Sequence, residues 1–457
     1  MERFLSIPAL PGEPSPKELR QNIFKMIWPV TIDSILQMMV GMVASAMVGR
    51  IGATAIAAIG LSSRVTQISW ALFFGISTGV TVLVARCYGA REMAEARKIA
   101  FQGLLSAVIL ISIMTILSFI FAKPFLNLMN VGEELLAACM AYLQIALFSL
   151  PLVAMIQISA GIMRGVGNTK TPMLISLVVN LINVLGCWLF IYGNLGFPAM
   201  GIRGAAVAAL FGQGTGAILA LSAVFSPFSG LQLRKEDIAP LHVPDVKRIM
   251  RIGVPSSAGD LFWQVASIVM TSVIVTFGTI ALAAHNLGMQ AEGISYMPAA
   301  GLGIAATAFV SQSLGAKNLN LARRYIQEIF NWSMAFFVFA SFLLIFGGRF
   351  IMSLLTNDLE VIRLGAKYLM LMGFAQIPLE MGGVINGVLR GAGDTKWVMY
   401  IQAIGMWLLR IPLSYILGIQ LGFGIMGVWW AMTIDLFVRF FLVLWRYRLG
   451  KWQTMQV

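Results

Sequence analysis

The seven residues RGVGNTK at 164–170 return as RGAGDTK at 390–396, an interval of 390 − 164 = 226 residues. The same interval joins Pro29 to Pro255, Gly52 to Gly278, Gly89 and Ala90 to Gly315 and Ala316, Tyr142 to Tyr368, and Gly201 to Gly427. A register held over so much chain is the mark of an internal duplication, and it restricts the fold to two copies of one unit.

The medium of that fold follows from how little charge is available. With 59% hydrophobic and 11% charged residues and a mean hydropathy of +0.85, the chain has too few polar groups to cover a water-facing surface. Runs such as LLSAVILISIMTILSFIFA and MAFFVFASFLLIF are long enough to cross a bilayer and lack the strict alternation of barrel strands. Turns and charges then divide each copy into six helical spans. They are 22–48, 54–85, 96–122, 135–161, 171–193 and 200–225, followed by 247–276, 280–311, 323–347, 358–387, 397–420 and 424–446. The expected fold is therefore an all-α integral membrane protein of about twelve helices.

An even number of spans per copy means that both copies enter the membrane in the same sense, related by a pseudo-twofold axis along its normal with a cavity between them. The expected organisation is an N-terminal segment 1–21, a six-helix bundle 22–225, a polar linker 226–246, a second bundle 247–446 and a tail 447–457. The net charge of +13 is not a nucleic-acid signature, because the basic residues gather at alternate connections. Arg86, Arg91, Arg97 and Lys98 follow span two, Arg234, Lys235, Lys247, Arg248 and Arg251 lie between the halves, and Arg446, Arg448 and Lys451 end the chain. This asymmetry places both termini in the cytoplasm, and the polar, Pro-bearing start carries no cleavable signal pattern. Cys87, Cys139 and Cys187 have no paired spacing, so no metal cluster or disulfide frame is expected. GVGNTK lacks the phosphate-loop spacing, and there is no soluble domain for a nucleotide, so no enzymatic activity and no cofactor are expected.

Ionisable residues inside spans are costly and mark candidate sites. On span one, Asp33, Gln37, Gly41 and Ala44 share a face; on span seven, Asp260, Gln264, Ser267 and Thr271 do the same. The two carboxylates, each a few residues after a proline, could hold one proton or cation between them, or could be structural groups satisfied by backbone or Arg64. Span eight carries His285, Gly288, Glu292 and Tyr296 along one side, either lining a cavity or forming a buried network. Asn180, Asn183 and Cys187 follow each other on span five, where amides could coordinate a cation or bind helices together. Asp435 and Arg439, four apart, read as a structural pair, while Glu380 and Arg410 have no evident role. In the repeated turns, Arg164, Gly165, Gly167, Arg390, Gly391 and Gly393 read as structural, the glycines permitting tight backbone paths and the arginines reaching helix-end carbonyls or lipid phosphates.

RGVGNTK and RGAGDTK, with MVGRIGATAIAA, TFGTIALAAHN, SLGAKN and YLQIALFSLP, resemble the multidrug and toxic compound extrusion (MATE) family over about residues 20–450. The resemblance implies two six-helix bundles around an alternately opening cavity. It also implies antiport of organic cations and other amphipathic compounds against H⁺ or Na⁺ across the plasma membrane, by a chain expected to act as a monomer. The sequence departs from the family where Ala44, Cys187 and Gln264 stand at positions that are acidic in some branches. Asp33 is then the candidate to replace Ala44, while Asp260 and Glu292 match acidic positions. A flippase for lipid-linked oligosaccharides and a proton-conducting subunit of a larger complex are the competing readings. The first calls for a cavity rich in Arg and Lys, the second for chains of Lys, Glu and His, and only two histidines are present.

Overall fold

The computed structural model describes residues 12–128 and 132–455, with no strand among them. The N-terminal residues 1–11, part of the segment read as 1–21, lie outside the described residues, as does the side chain of Arg64. The first copy is built from α1 (Pro16–Gly49), α2 (Ala53–Gly89), α3 (Met93–Leu128), α4 (Glu133–Ala146), α5 (Ser149–Gly165), α6 (Lys170–Tyr192) and α7 (Ile202–Phe225). The second has α8 (Val243–Val275), α9 (Thr279–Gly315), α10 (Leu319–Leu355), α11 (Leu359–Ala392), a span Thr395–Gln420 that includes α12 (Thr395–Ala403) and α13 (Ile411–Tyr415), and α14 (Gly424–Arg448). Among the described residues, eleven helices are long and apolar enough to cross a membrane, and α4 with α5, bent by 49°, makes a twelfth if the bent pair is one span.

That bend has a local cause. Pro151 sits in the first turn of α5, where it has no N–H to bond the carbonyl of Leu147 four residues back, so the helix restarts at Ser149. Its counterpart α11 runs through Pro378 unbroken. Prolines inside α1, α3, α8 and α9 are likewise accommodated without breaking the helix.

Two compact units are present. One comprises Pro29–Ser257; the other joins Met1–Trp28 to Ala258–Val457. The divisions fall inside α1 and α8, next to or just beyond Pro29 and Pro255, and residues 226–246 belong wholly to the first unit. In the N-terminal unit, Lys98 of α3 binds Asp245 at 2.9 Å and Arg248 binds Glu95 at 2.9 Å, fastening the start of α8 to α3. In the C-terminal unit, Arg324 of α10, which stands 226 residues after Lys98, binds the buried Glu13 at 3.0 Å and fastens the start of α1.

Each unit has the same close helix crossing. Thr81 Oγ1 donates to the carbonyl of Gly161 at 3.0 Å, joining α2 to α5, and Thr307 Oγ1 donates to the carbonyl of Gly387 at 2.9 Å, joining α9 to α11. Both members of the bond are displaced by 226 residues, so the duplication is one of packing as well as of letters. Glycine is needed there because a side chain at Gly387 would meet the backbone of Gly303, and one at Gly391 the backbone of Thr307.

The register does not survive to the last span. Gly201 precedes α7 with φ 54°, whereas Gly427 lies inside α14 and the corresponding positive φ, 61°, falls at Gly424. The span before it is 26 residues long against 23 for α6, and it contains two π-helical stretches, Ile404–Arg410 and Ile416–Gln420, that α6 lacks. The glycine nevertheless falls early, 424 − 201 = 223 against the interval of 226, because the connection that follows is only residues 421–423 where the first copy has 193–201, which outweighs the extra residues that π turns take into the span.

Candidate ion and substrate site

The C-terminal unit holds a continuous polar network among apolar helices. It begins where α11 crosses α9. Gly288 leaves room for the ring of Tyr368, since a Cβ there would strike it, and the Tyr368 hydroxyl donates to Glu292 Oε2 one helical turn on, at 2.9 Å. Ser295 Oγ donates to the Glu292 carbonyl at 2.7 Å and accepts from Gln376 Nε2 at 2.8 Å. The same Gln376 nitrogen donates to Glu380 Oε1 at 3.1 Å. Gln376 and Glu380 are buried, and Gln376 Oε1 has no hydrogen-bond partner. A carboxylate and an unsatisfied amide oxygen therefore sit together, an oxygen-rich setting suited to a proton or a hard cation.

Asp260 of α8, half-buried, lies within electrostatic reach of Arg390 and of Tyr296. Tyr296 also feels Glu380, so the four groups share one electrostatic neighbourhood. Gln264, one turn beyond Asp260, is half-buried, and Tyr296 is exposed. His285 packs edge-on against Tyr368 with ring centroids 5.4 Å apart.

Beside this network lies a buried ion cluster. Asp435, fully buried on α14, accepts from Arg439 Nε at 2.9 Å and Nη2 at 2.8 Å, and from Arg410 Nε at 2.8 Å. Arg410 ends the first π-helical stretch, and Gly405 within that stretch has no side chain to crowd Asp435 and Arg439. The cluster thus includes the i, i+4 pair read from the sequence and adds a second arginine from the preceding span.

The N-terminal unit is sparser. Gln37 Nε2 donates to Asp33 Oδ1 at 3.2 Å, Asp33 is buried, and its charge acts on Arg164 of the first repeated turn. Arg164 therefore stands to Asp33 as Arg390 stands to Asp260. Asn180 and Asn183 are half-buried; Asn183 Oδ1 accepts from Cys187 Sγ at 3.8 Å, and Asn180 Nδ2 has no hydrogen-bond partner. In the turns themselves, Gly167 and Gly393 adopt φ of 89° and 94°, which end the helices of Arg164 and Arg390, while Gly165 and Gly391 lie against α2 and α9. Among the described residues, no group of His, Cys, Asp and Glu has the makings of a metal cluster.

Sequence reasoning missed Gln376 and Tyr368 as site residues, and it marked Glu380 and Arg410 as ionisable residues inside spans without giving them a role. A signal existed for two of them: Gln376 and Glu380 are an amide and an acid at i, i+4, the same pairing as Asp33 with Gln37 and Asp260 with Gln264.

Comparison with known proteins decides the family. The sequence model of the MatE family matches residues 29–189 and again 255–416, one match in each copy. The chain belongs to the MATE family. Its members are transporters, and this chain is accordingly a multi-pass membrane transporter and not an enzyme. It is 28% identical over 451 residues to a probable multidrug resistance protein NorM of Thermotoga maritima, covering 98% of this chain and 96% of that one. A NorM of Mannheimia succiniciproducens is 28% identical over 446 residues, 96% and 95% of the two chains. The Vibrio cholerae MATE transporter VcmN shares the fold with a TM-score of 0.89 at 19% identity, covering 96% of this chain and 99% of the other. A transporter from Pyrococcus furiosus, at 21% identity and a TM-score of 0.88, covers 97% and 98%.

Proposed function

We propose that this transporter exports organic cations or other amphipathic compounds in exchange for H⁺ or Na⁺ by alternating access, and that its coupling site lies in the C-terminal unit. The observation that carries the reading is the pair of carboxylates Glu292 and Glu380, linked through Tyr368, Ser295 and Gln376, with Asp260 in the same electrostatic neighbourhood as Glu380. Under the 226 register, Glu292 and Glu380 answer to Thr66 and Ala154, so the duplication has kept these acids in one copy. A carboxylate that binds either the coupling ion or a cationic substrate makes each lower the affinity for the other by the same factor, which is what exchange requires. Asp33 with Gln37, and the amides Asn180 and Asn183, form the smaller polar wall of the N-terminal unit. The names of the NorM relatives agree with drug efflux. The bacterial NorM relatives support a plasma-membrane protein, the clustering of Arg and Lys supports both termini being cytoplasmic, and a single chain holding both polar walls supports a monomer.

The test is uptake and efflux of a cationic dye in proteoliposomes, with a pH gradient and a Na⁺ gradient imposed separately. One gradient should drive uphill transport in the unchanged protein. Asp260→Asn and Glu380→Gln, purified folded, should abolish it, and Asp33→Asn should weaken it. Uphill transport surviving both C-terminal variants at normal levels would place coupling outside this network.

A further inference from the structure

A groove lies in the C-terminal unit between the leading stretch of α1 and α10, lined by none of the residues of the polar network. It has a volume of about 490 Å³ and is lined by Arg20, Glu328, Asn331, Trp332, Ala335 and Phe336. The two helices run parallel, because their contacts advance together: Arg20 meets Glu328, and Phe24 meets Trp332 one turn further along each helix, with ring centroids 6.3 Å apart. The groove therefore has a direction. Its charged and amide residues come first along both helices, and Trp332, Ala335 and Phe336 follow, where α10 continues into the apolar run MAFFVFASFLLIF. A charged rim above an aromatic floor is the arrangement of a membrane interface.

The rim also specifies a headgroup. Arg20 Nε and Glu328 Oε2 are 3.1 Å apart, with the arginine side chain 53% and the glutamate side chain 15% exposed. A lone arginine would favour any phosphate, whereas the adjoining carboxylate disfavours a net negative head and favours one that carries its own cation next to the phosphate. Glu328 further discriminates among such heads, because a primary ammonium offers N–H donors and a quaternary one offers none. We propose that this groove binds a zwitterionic phospholipid with a primary-amine head, phosphoethanolamine in type. Its phosphate rests on Arg20, its ammonium on Glu328, and one acyl chain lies over Trp332, Ala335 and Phe336. The two pairs of opposite charges then close a ring of four, and the lipid ties the leading stretch of α1 to α10.

Native mass spectrometry of the full-length protein in mild detergent tests this, with phosphatidylethanolamine, phosphatidylcholine and phosphatidylglycerol of identical chains added in turn. The unchanged protein should retain a first phosphatidylethanolamine about tenfold more tightly than phosphatidylcholine, the effect of one charge-assisted hydrogen bond. Glu328→Gln should level the two, and Ala335→Trp, which fills the floor, should remove the tight first lipid while leaving cooperative melting intact. If Ala335→Trp does not fold, Glu328→Gln decides alone. Equal retention of the two zwitterionic lipids by the unchanged protein, preference for phosphatidylglycerol, or undiminished selectivity in Glu328→Gln would overturn the assignment.

Discussion

Asp435→Asn is the most exacting test of the buried charge arrangement. The substitution keeps the side chain's shape and removes its charge, so three charge-assisted bonds of 2.8, 2.9 and 2.8 Å are weakened or lost together. Arg410 and Arg439, with side chains only 11% and 16% exposed, are then left repelling each other without their shared counter-ion. Removing one partner of a buried ion pair costs about 3–5 kcal/mol, far more than the net worth of the intact pair. In a domain of about two hundred residues each kcal/mol moves the melting temperature by about 2–4 °C, so a fall of about 6–20 °C is expected. Thermal unfolding in detergent, followed by intrinsic fluorescence, measures it. The double variant Asp435→Asn, Arg439→Met should recover part of the loss, because one of the two stranded charges is gone. An Asp435→Asn protein that melts within about 2 °C of the unchanged one, or a double variant whose loss is the sum of the single losses, would refute this account of the cluster.

Gly387→Ala should cost more folded protein than Gly161→Ala, because the new methyl meets the Gly303 backbone in one case and the movable Ser77 side chain in the other. Overpacking of about 1–3 kcal/mol is expected for the former, read as folded yield on size-exclusion chromatography, and equal yields would contradict it. Arg164→Ala and Arg390→Ala should each lower expression while leaving the substrate range alone; a changed range at normal expression would assign these arginines to substrate contact. Tyr368→Phe removes the 2.9 Å bond to Glu292 and should slow gradient-driven transport severalfold in a folded protein. Unchanged rates would take Glu292 out of the coupling path.

What could be read from the letters follows the range of the interaction concerned. Asp435 with Arg439 and Gln37 with Asp33 are neighbours on one helix, where the 3.6-residue period makes contact legible without a structure. Glu292 with Tyr368, 76 residues apart, and Gln376 with Ser295, 81 apart, depend on which faces of α9 and α11 meet. Periodicity says that a face is polar but not what lies opposite. Arg410 was obscured for another reason: the π-helical stretch that ends on it alters the helical period, so its direction could not be projected from its neighbours.

The sequence by itself determined the medium, the count of spans and the duplication, because each is written in local apolar length or in repetition at a fixed interval. It also marked the turns at Gly167 and Gly393, since few residues other than glycine settle at φ near 90°. Only the tertiary structure decided the makeup of each compact unit and the partners of the buried charges. It placed the start of α1 with the C-terminal unit and the start of α8 with the N-terminal one, and it brought Arg164 to Asp33 and Arg390 to Asp260. The physical reason is that a charge inside an apolar bundle must find its partner across helices, and the choice among neighbours is made by packing, which no single span encodes.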